Sequence, residues 1–238
     1  MEKIIQASLV LHIAAGMIAL AVAPIAMVTK KGGKQHRLWG KVYFWGMTIV
    51  TITALVMSIY KFIPFLLMIA IFSYYSIVSG YRTLYHKKLH KGEGVKLIDW
   101  FALVITAIFN VAFVLWGISM VLNSSDGFFA YLAIGFGIGG LSLVISNLRS
   151  FIKPPKEKNA WLFNHIGGMI GGYIATLTAF SATVLNFLPG IWAWIWPSII
   201  GIPLINFWII YYKRKLSTKG SVRIPNISGE RSINEIID

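Results

Sequence analysis

The sequence predicts an all-α integral membrane protein: a bundle of about seven transmembrane helices, N-terminus outside and C-terminus in the cytoplasm. Three observations carry that prediction. Of the 238 residues, 57% are hydrophobic and 13% charged, with a mean hydropathy of +0.71; a soluble domain carries about twice that charged share. The apolar residues come in unbroken runs that a helix with one wet face could not tolerate. The basic residues cluster in every second connection between those runs.

The first run, residues 5–28, reads as a span and not as a cleaved leader. It is too long for a signal-peptide core, and the stronger basic cluster follows it; Ala21-Val22-Ala23 would be the small-residue cleavage site of the other reading. The second and third spans, 42–60 and 62–81, are nearly fused, with Lys61 and Pro64 marking the turn. Four more follow at 99–122, 128–148, 160–184 and 191–212. Each is long enough to cross a core about 30 Å thick at 1.5 Å per residue. Residues 1–215 then form the transmembrane domain, and 216–238 a polar cytoplasmic tail.

Direction comes from charge. Residues 29–41 carry Lys30, Lys31, Lys34, Arg37 and Lys41, and residues 82–98 carry Arg82, Lys87, Lys88, Lys91 and Lys96. Arg149, Lys153, Lys156 and Lys158 follow span five, and the remaining cluster begins at Lys213. Together these segments hold 20 of the 22 basic residues, leaving only Lys3 and Lys61 on the other side. The positive-inside rule makes the rich side cytoplasmic, in a plasma (inner) membrane. Trp39, Trp100 and Trp161 stand at the inner ends of spans two, four and six, and Trp192, Trp194 and Trp196 at the outer end of span seven, as interfacial belts do. The net charge of +14 therefore points to anionic lipid headgroups and not to nucleic acid. Cysteine is absent, which excludes disulfides, thiolate metal sites and Fe–S clusters.

Ionisable groups at membrane depth are costly and mark candidate sites. Two qualify, His12 in span one and His165 in span six. Both are followed by small residues on the same helical face, which suits a neighbouring helix or a flat macrocycle. Neutral imidazoles are also the axial ligands of haem b, the candidate cofactor. Helix rise sets His12 roughly 10 Å from the outer face and His165 roughly 8 Å from the inner one. About 12 Å of height then separates them, so they do not share one iron. His165 is better placed to meet His36, and His86 and His90, spaced i, i+4, would share a face if span three continued as a helix. With Asp99 these five form a candidate inner-face metal site. Without a ligand, His86 and His90 read as part of a solvated basic loop. No buried carboxylate suggests an ion-coupled pump.

Spans five and six are rich in glycine, from Gly135 to Gly140 and from Gly167 to Gly172, and are expected to pack on each other. Asn110, Tyr173, Thr176, Thr178 and Ser181 would line a polar seam or ligand cavity among spans four to six.

Several stretches carry a resemblance. They include Leu11-His12-Ile13-Ala14-Ala15-Gly16, Gln35-His36-Arg37-Leu38-Trp39-Gly40, Gly80-Tyr81-Arg82, Asp99-Trp100 and Asn164-His165-Ile166-Gly167-Gly168-Met169. Together they resemble a family of uncharacterised bacterial polytopic membrane proteins with a domain of unknown function. That resemblance implies the topology and no activity. His36-Arg37 with Gly40 before a span is also similar to ferric-reductase-like haem membrane proteins, which carry a second histidine in the same span; span two here has none. Three functions follow: a haem- or metal-binding redox protein using His165, His36 and His12; a transporter or small-molecule binder using Asn110, Tyr173 and Thr176; or an intramembrane zinc hydrolase using the inner-face histidines and Asp99.

Overall fold

The computed structural model describes residues 2–61, 64–123, 127–185 and 187–221. Among the described residues seven α-helices run in chain order: α1 Glu2–Val28, α2 Lys34–Lys61, α3 Pro64–Arg82, α4 Leu97–Leu122, α5 Gly127–Ile152, α6 Ala160–Val184 and α7 Trp192–Ser221. No strand occurs among the described residues. Among the described residues, six of the helices, α1, α2 and α4 to α7, are long and apolar enough to cross a membrane. Their outward faces are apolar too: Val10, Ile52, Ile108 and Tyr131 are all more than half exposed. In water such a surface would be an aggregation liability; in hydrocarbon it is solvated.

The ends follow from local chemistry. Pro64 opens α3, where its missing N–H costs nothing, just past the lysine that closes α2. After Arg82 the chain makes two 3₁₀ turns, Thr83–Tyr85 and Leu89–Lys91, and does not continue as α-helix. Gly92 and Gly94 follow with φ of 79° and 113°, conformations that open the chain toward α4. His86 and His90 therefore lie on separate turns and share no helical face. At its far end α7 continues to Ser221, past the expected end of span seven; residues 222–238 of the expected tail lie outside the described residues.

Helix α3 is the hub, packing on α2, α4, α5 and α6. The other main pairings are α1 with α2, α4 with α5, and α6 with α7. The expected packing of span five on span six is corrected here, because α5 and α6 make no extended contact. Their small-residue faces go to different partners. A Cβ on Gly168 of α6 would stand 2.6 Å from the Gly80 Cα of α3, so the two backbones touch. A Cβ on Gly140 of α5 would stand 1.9 Å from Asn110 Oδ1 of α4, so that glycine is the notch for the asparagine. Closeness was legible in glycine content; the partner was not.

Candidate functional site

One end of the bundle gathers the chemistry. The last turns of α1 and α3 and the first turns of α2 and α6 meet there, together with the 30s loop and the basic stretch after α3. Helix ends leave their final carbonyls without intrahelical donors. At the end of α1, the Ala26 carbonyl accepts from the Thr29 hydroxyl at 3.1 Å and from His36 Nδ1 at 2.9 Å. Lys31 Nζ donates to the Met27 carbonyl beside it. At the end of α3, the Gly80 carbonyl accepts from the Thr83 hydroxyl at 2.7 Å and from His165 Nδ1 at 2.9 Å.

Those two histidine bonds fix tautomers. A carbonyl oxygen only accepts, so each Nδ1 carries the proton and each neutral ring keeps a lone pair on Nε2. The rings meet edge to face with centroids 6.2 Å apart. Both line a single cavity of about 370 Å³. Its deeper wall is apolar, with Ala23, Met169 and Ile170 beside the buried Tyr43. Trp161 and Trp208 close its sides, and Lys31, Arg37, Lys41 and Lys87 border it. Burial without a carboxylate pushes the Lys31 ammonium below the usual lysine range.

A second cluster lies beside the first. Asp99, in the first turn of α4, accepts from Arg82 Nε at 2.7 Å and Nη2 at 2.9 Å. It also accepts from His86 Nε2 at 3.2 Å and from the Lys96 backbone N–H at 2.8 Å. Both Asp99 and His86 are buried, and four donors on one carboxylate staple the 3₁₀ segment to α3 and α4. A pocket of about 50 Å³ adjoins this cluster, and Trp161 lines both cavities.

The family model described as "Predicted membrane protein (DUF2306)" matches residues 9–137, more than half of the chain. The chain belongs to this family. No curated protein and no solved structure matches it. With its apolar helices, membership makes the chain an integral membrane protein. The DUF2306 match holds His12, His36, His86, His90, Asp99 and Asn110, whereas His165 and Tyr173 lie beyond it. One ring of the histidine pair thus falls inside the matched stretch and the other outside.

The remaining candidates are dispersed. His12 lies 14 positions before Ala26, roughly 21 Å along α1 by helix rise. There its Nδ1 is 3.1 Å from the Val50 carbonyl and 3.0 Å from Thr53 Oγ1, tying α1 to α2. His90 lines neither cavity, and its Nδ1 is buried without a partner. Among the described residues no group of three or more His, Cys, Asp or Glu side chains converges: His36 pairs with His165, and His86 with Asp99. Asn110 is sealed between α4 and α5, donating to the Thr106 carbonyl at 2.8 Å. Thr176 sits between α6 and α2, 3.4 Å from the Tyr43 hydroxyl, and Ser181 accepts from Trp196 Nε1 at 2.7 Å. Tyr173 packs against the α1–α2–α3 core. These polar groups serve separate helix contacts.

Sequence reasoning missed Lys31 and Lys87 as site residues, along with Trp208 and Met169. Lys31 carried a signal, since it stands three residues past the end of α1, within reach of the last carbonyls. Trp208 carried the interfacial-aromatic signal, standing four residues before the expected inner end of span seven at 212.

Proposed function

We propose that the chain is a membrane redox protein that holds a haem b-type iron macrocycle at His36 and His165. The observation that carries this reading is the pair of imidazoles, each anchored through Nδ1, on the wall of one cavity. Two imidazole nitrogens bound to one metal ion at about 2 Å each lie at most about 4 Å apart, a spacing that rings with centroids 6.2 Å apart can meet. The cavity, about 370 Å³ and mostly apolar, falls within the usual range for cofactor sites.

When bound, such a group supplies one-electron chemistry. The chain's own residues set its conditions. The Ala26 and Gly80 carbonyls hold both rings in the ligating tautomer and raise the basicity of Nε2. Met169, Ile170 and Tyr43 exclude water from the deep side, which lowers the local dielectric and favours a high reduction potential. His12, about 21 Å away along α1, acts as a helix tie in this reading and holds no part of the group.

The finer topology belongs to the same proposal. The basic end faces the cytoplasm of a plasma-membrane protein, N-out and C-in, with its lysines and arginines against anionic headgroups. The chain contains no cysteine, so single cysteines at Lys34 and at Trp192 report sidedness cleanly. Labelling of the first only after lysis, and of the second in intact cells, is expected; the reverse pattern overturns the orientation. For the cofactor, detergent-purified protein titrated with haemin is expected to saturate near one equivalent with a Soret band. Absence of saturable binding overturns the redox reading.

A further inference from the structure

The rim of the same cavity says what kind of molecule the apolar part admits. Four cations border it, Lys31, Arg37, Lys41 and Lys87, and no aspartate or glutamate does. None of the four has a carboxylate partner among the described residues. Lys31 donates to the Ala26 and Met27 carbonyls and stands 5.3 Å over the Trp208 ring. Arg37 donates to the Gly32 carbonyl at 2.6 Å, and Lys87 stands 5.2 Å over the Trp161 ring. Carbonyls and aromatic faces orient a cation but leave its charge uncompensated.

The arrangement is also graded in depth. Lys31 comes from the α1–α2 loop, Arg37 and the exposed Lys41 from the first two turns of α2, and Lys87 from the segment after α3. Tyr43 lies two turns deeper along α2 than His36, and Met169 and Ile170 lie about a turn beyond His165. An apolar floor beneath a cationic rim fits an amphiphile whose acidic groups stay at the mouth. A neutral apolar ligand would leave Lys31 desolvated and unpaired, which is the costly case.

Resting on the proposed macrocycle site, we infer that the ligand enters as a free acid. It carries two or more carboxylates that pair with Lys31 and its neighbours, and the cavity discriminates against the same skeleton with those acids masked. Burial already depresses the Lys31 ammonium, and a carboxylate beside it would restore the charged form. The rim would equally attract phosphate groups of anionic lipid, so the experiment separates that source.

The full-length protein in nanodiscs of zwitterionic lipid is titrated with haemin, haemin dimethyl ester and metal-free protoporphyrin IX. Quenching of Trp161 and Trp208 fluorescence reports binding, together with absorbance. Haemin is expected to bind at least about tenfold more tightly than its ester, the worth of one charge-assisted hydrogen bond. Lys31→Gln, which keeps a donor for the α1 carbonyls, is expected to shrink that ratio while leaving the ester unchanged. Ester binding within about twofold of haemin overturns the inference and leaves the iron reading standing. Protoporphyrin IX matching haemin while still responding to Lys31→Gln supports the inference and overturns the role of the histidines. Loss of the acid–ester difference when phosphatidylglycerol is added assigns the rim to lipid phosphate and overturns the inference.

Discussion

His36 and His165 stand edge to face at 6.2 Å, each donating Nδ1–H to a carbonyl in the last turn of a different helix. Elements far apart in sequence thus place two imidazoles in one tautomer on one cavity wall. Either bond alone would be an ordinary helix-end satisfaction. The pair, with both Nε2 atoms left without a proton, is what points to ligation.

The α3–α6 contact supports His165 from below. A Cβ at Gly80 would meet Gly168 and Met169 backbone at 2.9 Å, so Gly80→Ala must push the helices apart. A loss of about 1–3 kcal/mol is expected, as for other overpacked sites. Since His165 hangs on the Gly80 carbonyl, haemin affinity should fall with it. Thermal unfolding in detergent alongside a haemin titration checks both; unchanged stability would contradict the close crossing.

Asn110 and Gly140 are predicted to be energetically coupled. Gly140→Ala sets a methyl 1.9 Å from Asn110 Oδ1 and should destabilise by about 1–3 kcal/mol. Adding Asn110→Ala vacates the space, so the double variant should be more stable than the sum of the two single effects. Strict additivity in unfolding measurements would mean that the notch is not what binds α4 to α5.

Asp99 is the other buried anchor. Asp99→Asn leaves Arg82 and His86 facing a neutral amide in a nearly water-free site, and about 3–5 kcal/mol of stability should be lost. Lys88→Ala removes a nearby pair whose members are 71% and 60% exposed, and should cost under about 1 kcal/mol. Equal effects from the two variants would show that the Asp99 network is solvated.

Much of this was legible in the sequence because it rests on local rules. Lys61 and Pro64 marked the turn between α2 and α3 because lysine is expelled from hydrocarbon and proline opens a helix. The alternation of basic segments put His36 and His165 at the same end. Partner choice was less legible. Gly80, a single glycine in α3, turned out to be the seat for α6, and of the α5 glycines Gly140 fits the Asn110 side chain while Gly137 admits Val114 and the α4 backbone. A stripe of small residues says that some helix comes close and carries no address. The i, i+4 spacing of His86 and His90 failed for another reason: it presumes a helix, and the α-helical run already ends at Arg82, before either histidine. The basic loop also hid Lys31, whose role depends on where the end of α1 falls.

The most direct test of the central claim is the visible spectrum of haemin-loaded protein compared across His36→Ala, His165→Ala and His12→Ala. The account predicts a low-spin, six-coordinate spectrum in the parent. Each of the first two variants should lose it, becoming high-spin or failing to bind, while His12→Ala retains it. A parent spectrum that survives both His36→Ala and His165→Ala would contradict the account.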